Sequence, residues 1–476
     1  MNKVSKLGKE EMMDTQKMTD RLIDFALNFK YEDIPENVIA YQERILLDSI
    51  GVMSAATTLE PACTPFIDFA VENSVKAESV IFGTDKKASP LMAALANGSL
   101  IHALDYEDGH DYAKAHPNTA SIPVIMAFAQ SLNKSGKEVV AALAIASEIA
   151  IRMKLCLTAN DLFDCGIYAP PMFSAYGAVL GAARLVGLSK DEALDALSIC
   201  ETQILLPGQS ARSAKSSLRG VREALSARAA AFGIVMAQKG VHARMDEPLE
   251  GTYGLYMSCF RNQYDEEVLF ADLGKRWEAA NLRFKAWPCC GTAHALIADL
   301  SDILNEQQIE AEDIKDIHII INKPHTNLLE PKDVKYRPKA LAQAKFSIPY
   351  ILALTAVEGE VVLDSFKEDK LEDAKLLAAA DKVSWEMRPE EKPENFVDDH
   401  VEVTVTTNDG KQYYKEVFVS PGSPKLPLTQ QLIENKFVDC LKHAQKKYAE
   451  EDALKIIDVV LKLHTYDNLD ALTKLI

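Results

Sequence analysis

The sequence predicts a mainly α-helical protein with a smaller α+β region inserted before its last helices. Three observations support this fold class. Apolar residues recur at helical spacing in segment after segment between about residue 15 and about residue 275. Strand-like alternation appears only after about residue 276, and the end of the chain returns to helical spacing. We therefore expect a large all-helical domain from residues 1–275 plus 415–476, with an α+β lid domain at 276–414.

The helices of the first part are predicted from apolar stripes and start signals. The segment TDRLIDFALNF places apolar side chains on one face and offers Thr19 as an N-cap. The next helix, PENVIAYQERILLDSIGVMSAA, has proline in its first turn. Alanine and glycine are frequent in the helices that follow, which permits close packing. These helices are SPLMAALANGSLIHAL, SGKEVVAALAIASEIAIRM, FSAYGAVLGAARLVGL and SKDEALDALSICETQ.

The inserted region is predicted from two strand patterns. KDIHIIINK alternates in the manner of a strand, and VEVTVTTNDGKQYYKEVFV is a hairpin pattern with Asn-Asp-Gly between two runs rich in β-branched and aromatic residues. Helical segments surround them: AQAKFSIPYILALTAVEGE before the hairpin, then LTQQLIENKFVDCLKHAQKKY and EEDALKIIDVVLKL after it. The cleft between two such domains is a favoured place for a small-molecule site.

Composition and charge narrow the functional class. The chain of 476 residues is 48% hydrophobic and 26% charged, as expected for a folded globular protein, and carries a net charge of -18. This charge argues against nucleic acid as a partner, because phosphate binding needs a basic face. The first residues lack the apolar core of a signal peptide, and Glu148 and Arg152 interrupt the most apolar run. We expect a cytoplasmic protein without a membrane partner.

The cysteines predict reduced thiols rather than disulfides or a structural zinc site. They are scattered and form no CxxC pair. The eight are Cys63, Cys156, Cys165, Cys200, Cys259, Cys289, Cys290 and Cys440.

The segment HALDYEDGHDYAKAHP, residues 102–117, gathers histidines and carboxylates directly after an apolar helical run. A metal site, an acid/base site and a solvated loop are the three interpretations. No established metal-ligand spacing such as HExxH is present, so we expect no bound metal. The residues of metal-ligand type here are His102, Asp105, Asp108, His110 and His116.

Acid/base chemistry is the interpretation that we favour for part of this segment. His102 and Asp105 are three apart and would share one face of a helix, where a carboxylate can fix the tautomer of a histidine and raise its pKa. For His110, Asp111 and Lys114 we prefer the interpretation that they are solvated loop residues without a catalytic role.

Two further segments carry candidate residues. RFKAWPCCGTAH holds Lys285 just before a Trp-Pro turn and the vicinal pair Cys289 and Cys290. Without a functional role, Lys285 would be an exposed lysine and the two cysteines would be small packing residues. Cys290 could be a nucleophile only if its pKa were depressed. The segment SARSAKSSLRGVREALSARAA is cationic and is either a solvated helix face or a carboxylate clamp. Its cations are Arg212, Lys215, Arg219, Arg222 and Arg228.

No dinucleotide-binding, Walker or GxSxG motif is present, so nucleotide-dependent, esterase and redox-cofactor functions lose support. Taken in order, eight segments of the chain resemble the MmgE/PrpD family. They are ILLDSIGVM, NGSLIHALDYED, HPNTASIPVIMAFAQ, SGKEVVAALAIASEIAIR, SAYGAVLGAARLVGL, KAWPCCGTAH, AKFSIPYILALTAVEG and SPGSPKLPLTQQLIENKF.

The resemblance implies a fold and a class of substrate. Family members combine a large helical domain with a smaller α+β lid, usually as a homodimer. They include 2-methylcitrate dehydratase, cis-aconitate decarboxylase and iminodisuccinate epimerase, which act on small di- or tricarboxylates without an organic cofactor. We expect the same of this chain.

The resemblance also implies site residues. Asp105, His116 and Lys285 match family positions of the decarboxylase-like members. Other positions depart from that pattern. Gly109 replaces a threonine, Tyr168 stands where many members have histidine, Arg219 aligns with a second family lysine, and Cys290 replaces a histidine.

These residues suggest proton abstraction next to a carboxylate. Arg219, with Arg222, would hold substrate carboxylates, and His102 and Cys290 would contribute to substrate binding. The base would be His116 or a Lys285 tuned towards neutral pH. The other of the two, or Tyr168, would act as the acid, and Asp105 would orient its partner.

A dehydratase-type lyase is the first expectation for the reaction. The alternatives are an epimerase of a dicarboxylate such as iminodisuccinate, a cis-aconitate-type decarboxylase and a non-catalytic binding protein.

Overall fold

The chain is mainly α-helical, as predicted. The computed structural model describes residues 17–158, 166–209, 216–389 and 399–476. Cys165, Arg212 and Lys215 lie outside the described residues.

Helices form nearly all of the first part of the chain. They are α1 (Met18–Asn28), α2 (Glu36–Leu59), α3 (Thr64–Glu72), α4 (Pro90–Ile101), α5 (Asn118–Ser131), α6 (Gly136–Leu155), α7 (Pro170–Val186), α8 (Lys190–Glu201), α9 (Leu218–Val221), α10 (Glu223–Gln238), α11 (Leu255–Phe260) and α12 (Glu266–Phe270). Two very short strands, β1 (Ser79–Val80) and β2 (Lys87–Ala88), pair between α3 and α4 and were not predicted.

The second part mixes helices with one sheet. Its elements are α13 (His294–Gln307), β3 (Ile314–Ile321), α14 (Lys332–Lys335), α15 (Leu341–Ala344), α16 (Ile348–Glu358), α17 (Ala374–Ala380), β4 (Val383–Met387), β5 (Val401–Thr407) and β6 (Gln412–Val417). The chain ends with α18 (Gln430–Lys442), α19 (Glu450–Val460) and α20 (Asp470–Thr473). The predicted strand and hairpin are thereby confirmed as β3 and β5–β6, whereas β4 was missed.

Local chemistry accounts for several helix boundaries. Helix α6 begins at a capping box in which Ser135 and Glu138 satisfy each other's backbone N–H groups. The prediction of Thr19 as the N-cap is wrong, because the N-cap of α1 is Lys17, two residues earlier, and the Thr19 hydroxyl donates to Glu250 instead. The frequent alanine and glycine residues predicted close helix packing, and Gly177 lies at such a close contact. A Cβ there would lie 2.2 Å from the carbonyl oxygen of Ala146.

Buried apolar side chains form two main cores. The first draws on residues from Met18 to Phe284, on Leu363 and on residues from Ile433 to Ile476, so that α18–α20 pack with the amino-terminal helices. The second runs from Cys289 to Val405, where the helices pack on a sheet of strand order β4-β3-β5-β6. Strand β3 pairs parallel to β4 and antiparallel to β5. The domain boundaries expected from sequence stay a prediction.

The chain passes between the two cores at residues 283–289, and other segments fasten this crossing. Gly109 and Arg283 exchange backbone hydrogen bonds of 3.1 and 2.7 Å. Gly422 has φ +86°, and its carbonyl accepts the N–H of Phe284 at 3.0 Å. Within the described ranges, no helix has the length and apolar character required to cross a membrane.

Candidate active site

The candidate site begins where α4 ends. The helix stops at Ile101, so His102 is its C-cap residue and Asp105 lies in the following turn with φ 52°. The expectation that His102 and Asp105 share a helix face is therefore wrong. The turn instead directs the two side chains to different partners, and the residue that reaches His102 is Glu107.

Glu107 joins two histidines and was missed from sequence. Its Oε1 lies 2.5 Å from Nδ1 of His102 and 2.9 Å from Nδ1 of His116, and the residue is 0% exposed. The two imidazole centroids are 5.0 Å apart. Nδ1 of His102 donates to Glu107, and Nδ1 of His116 lies 2.9 Å from both the Glu107 carboxylate and the Asp108 carbonyl. Each Nδ1 faces acceptors, so both histidines carry hydrogen on Nδ1.

The protonation states of the two histidines differ. Burial lowers the pKa of His102, and its Nε2 accepts a hydrogen bond of 2.7 Å from Arg219, so this ring is neutral. Burial also opposes the charged form of His116, but the carboxylate of Glu107 outweighs it and raises the pKa. His116 keeps 22% of its side chain exposed, and its Nε2 has no hydrogen-bond partner within the described chain. This nitrogen is available for proton transfer.

The loop that carries His116 is held by buried polar groups. Asp108 accepts a hydrogen bond from Asn118 at 2.8 Å, and burial raises its pKa to about 7. His110 is buried, accepts the Ala113 N–H and faces Glu278 at 3.4 Å. The expectation that His110 is a solvated loop residue is wrong, since its ring shapes the loop from inside.

Lys285 and Asp105 form a buried ion pair. The ammonium donates to Oδ1 of Asp105 at 2.7 Å and to the Asp105 carbonyl at 2.8 Å. Burial disfavours both charges, but the opposite charge of the partner prevails: it raises the pKa of Lys285 and lowers that of Asp105. The expectation of a lysine tuned towards neutral pH is therefore wrong. Lys285 is an ammonium in this structure.

Two arginines form the cationic side of the site. Arg219 stacks on Phe346 at 4.2 Å in addition to its bond to His102. Arg222 is fully buried, lies 3.4 Å from Glu223 and stacks on the Tyr168 ring at 3.9 Å. The structure thus places Tyr168 beside both guanidinium groups, with Arg219 at 5.8 Å from its ring.

Cys290 lies beside this group but lacks the chemistry of a nucleophile. Its backbone N–H donates to the carbonyl of Lys345 at 3.0 Å. Burial raises the pKa of the Cys290 thiol, so the depressed value that a nucleophile needs is absent. Cys289 is fully buried in the second core, as expected for a packing residue.

Lys436 fastens the site from the carboxyl-terminal part of the chain. Its ammonium lies 2.7 Å from Oδ1 of Asp48 and donates to the carbonyls of Tyr106 at 2.7 Å and Lys285 at 3.1 Å. It also lies 3.8 Å from the centre of the Tyr106 ring. One buried lysine from α18 therefore holds the loop after α4 and the Lys285 segment together.

The arrangement also has the donor set of a metal site. One ligand atom from each of His102, Asp105, Glu107 and His116 lies within 4.8 Å of the others. Several of these atoms already bind one another or Lys285, so a metal would have to replace those hydrogen bonds. The expectation of no metal stays a prediction.

Comparisons with known proteins identify the family. The model of the MmgE/PrpD N-terminal domain matches residues 20–267, and that of the MmgE/PrpD C-terminal domain matches residues 287–464. The chain belongs to the MmgE/PrpD family. The resemblance inferred from eight motifs is thereby confirmed.

Curated MmgE/PrpD relatives match almost the whole chain at low identity. The chain is 26% identical to the cis-aconitate decarboxylase-like protein oryM of Aspergillus oryzae, over 96% of this chain and 97% of the relative. It is 24% identical to a cis-aconitate decarboxylase of Aspergillus terreus, over 96% of each chain. The human cis-aconitate decarboxylase is 23% identical, over 98% of this chain and 95% of the relative.

Proposed function

We propose that the protein is a lyase that transfers a proton at a carbon next to a carboxylate of a small di- or tricarboxylate. The observation that carries this proposal is His116. Its Nδ1 is fixed by Glu107 while its Nε2 is available, and its pKa is raised from the ordinary value of 6.5. The imidazole side chain of histidine can act as either a general acid or a general base.

The surrounding charges suit an enolate-like transition state. The ammonium of Lys285 is fixed by Asp105 and would stabilise negative charge that develops on the substrate carboxylate. Asp105 would position Lys285 rather than touch the substrate. Preorganised charge of this kind costs no reorganisation during the reaction.

The arginines would bind the carboxylates of the substrate. Arg219 forms no ion pair within the described residues, and its guanidinium is kept in place by His102 and Phe346. Arginine binds carboxylates through paired hydrogen bonds, so this group would orient one end of the substrate. Arg222 and Tyr168 would support it from behind through their stacking contact.

Elimination of water is the reaction that uses all of these groups. Neutral His116 would remove the proton from the carbon next to the carboxylate. The bond from the neighbouring carbon to its hydroxyl would break, Lys285 would give that hydroxyl a proton, and an alkene and water would form. The two residues would return to their starting states by exchanging protons with solvent.

Decarboxylation is the second candidate, because the relatives described above are named cis-aconitate decarboxylases. His116 as imidazolium would then supply a proton to a substrate carbon while carbon dioxide leaves. The differences at Tyr168, Arg219 and Cys290 from the decarboxylase-like pattern are the reason for ranking this reaction second.

Proton NMR in D₂O distinguishes the reactions. The purified protein would be incubated with citrate, 2-methylcitrate, malate, tartrate, aspartate, iminodisuccinate and cis-aconitate. A new alkene signal from a hydroxy acid would support dehydration. Released carbon dioxide would support decarboxylation, and deuterium entry without an alkene would support an epimerase. If no compound reacts but one of them binds tightly, the protein is a binding protein and the proposal of an enzyme is wrong.

A further inference from the structure

A second lysine lies at the candidate site and has no role in the reaction described above. Lys345 directly follows α15 and is only 4% exposed. Among the described residues its ammonium has one hydrogen bond, a long one of 3.4 Å to the carbonyl of Ala103, and it lies 5.9 Å from the centre of the Phe366 ring. The described residues offer it no ion pair. A buried ammonium has three donors to satisfy, so this group is incompletely paired.

The other charged groups of the site differ from Lys345 in this respect. Lys285 is paired with Asp105, Arg222 lies against Glu223, and His116 lies against Glu107. Lys436 binds Asp48 and two carbonyl groups. Of the site cations named so far, Arg219 and Lys345 are the two that have no carboxylate within ion-pair distance among the described residues.

Geometry relates these two cations. Arg219 reaches the ring of His102 and Lys345 reaches the carbonyl of the next residue, Ala103. The residue after Lys345, Phe346, carries the guanidinium of Arg219 on its ring. Both groups are thus anchored at the same turn after α4. Burial lowers the pKa of Lys345, as expected for a buried amine that has no carboxylate paired with it.

We propose that Lys345 is a substrate-binding residue that takes a second carboxylate while Arg219 takes the first. The inference rests on the proposed function and deepens it, because it requires a substrate with at least two carboxylates. A carboxylate at Lys345 would complete the hydrogen bonding of the buried ammonium. A monocarboxylate would leave one of the two cations unpaired.

Calorimetric titration with tricarballylate tests this subsite. This saturated tricarboxylate has no hydroxyl to lose, so binding is measured without turnover. The proteins compared are the wild type, Lys345→Met, Arg219→Gln and the control Lys382→Met. Lys382 lies in the second part of the chain and donates to the carbonyls of Ala311 and Ile314.

We expect Lys345→Met to weaken binding by about tenfold to a hundredfold, the range for one charged hydrogen bond. Lys382→Met should bind as the wild type does. Without ligand, Lys345→Met should melt at the same or a higher temperature, because an incompletely paired buried charge has been removed. Lys345→Gln, which keeps a donor for Ala103, should also bind weakly and guards against a packing defect of the methionine.

The possible failures are distinguishable. If Arg219→Gln loses affinity while both Lys345 variants bind as the wild type does, the proposed function stands and the second subsite is overturned. If Lys345→Met and Lys345→Gln both melt well below the wild type, Lys345 is a structural residue and the inference is again overturned. If the wild type binds no polycarboxylate, the proposed function fails and the subsite fails with it.

Discussion

At the scale of single residues, Glu107 sets the protonation of two histidines. One carboxylate oxygen lies against Nδ1 of both rings, and the Asp108 carbonyl is a second acceptor for His116, so that His116 presents its other nitrogen. His102 is held neutral between this carboxylate and Arg219. The same contact therefore fixes a tautomer on one ring and raises the pKa of the other.

Glu107→Gln should lower the pKa of His116. The glutamine keeps an oxygen that can accept a hydrogen bond from Nδ1, but it removes the negative charge that favours the imidazolium. The shift is measured by NMR titration of the His116 ring. Glu416→Gln is the control, since this residue on β6 is the partner of another histidine, His400, just before β5. An unchanged His116 pKa in Glu107→Gln would contradict this account of its charge.

The pair of Lys285 and Asp105 predicts a stability pattern. Lys285→Met should lower the free energy of unfolding by about 3–5 kcal/mol, because a buried carboxylate loses its partner. Asp105→Asn combined with Lys285→Met should recover most of that loss, while turnover stays absent in both. Urea denaturation and activity assays measure the two effects. If Lys285→Met were as stable as the wild type, the two residues would not form the buried ion pair seen here.

Sequence alone identified part of this residue-level picture. Asp105, His116 and Lys285 were found from motifs, and the structure brings Lys285 to Asp105 across 180 positions of the chain. Glu107 and Lys345 were missed, because their roles depend on where the turn after α4 points and on a long-range approach to Ala103. The acidic pair Glu107–Asp108 in the same motif was the available signal for Glu107.

At the scale of elements, α18 connects the end of the chain to the site. Lys436 on this helix binds Asp48 on α2 and the carbonyls of Tyr106 and Lys285. Asp48 belongs to the LLD segment that helped to identify the family. Helical spacing predicted α2 and α18 separately, but periodicity cannot show that two helices 388 positions apart share a buried ion pair.

Lys436→Met should destabilise the protein by about 3–5 kcal/mol, since Asp48 is left buried without its cation. The double variant Asp48→Asn with Lys436→Met should be more stable than Lys436→Met alone. It should not regain full turnover, because the hydrogen bonds from Lys436 to Tyr106 and Lys285 are still missing. Thermal melting and initial rates measure this. The control Lys446→Met removes a partly buried lysine elsewhere in the same part of the chain. Full activity in the double variant would remove Lys436 from the positioning of the site.

At the scale of the whole molecule, the site lies where the two main cores meet. The histidines and arginines lie in the part of the chain that forms the first core, while Lys345 and Phe346 belong to the second part of the chain. The division into a helical part and an α+β part was predicted from the change of periodicity. The contacts across the crossing were not, because they join loops that carry no periodic pattern.

Binding of tricarballylate should protect backbone amides on both sides of the crossing. Hydrogen exchange should slow in segments 102–108, 283–291 and 341–347, because a ligand held by groups from both parts stabilises both. The hairpin of β5 and β6 serves as the internal control and should not change. Protection confined to one side would contradict a site shared by the two parts.

The central claim is that His116 transfers a proton at a carbon next to a carboxylate. The most direct test measures by proton NMR how fast deuterium enters each compound of the polycarboxylate panel in D₂O. The proteins compared are the wild type, His116→Gln and the control His318→Gln, which alters a half-exposed histidine on β3. We predict that the wild type and the control exchange or convert one compound at similar rates, and that His116→Gln is slower by about 10²–10⁴-fold while remaining folded. Exchange at the wild-type rate in His116→Gln would contradict the claim.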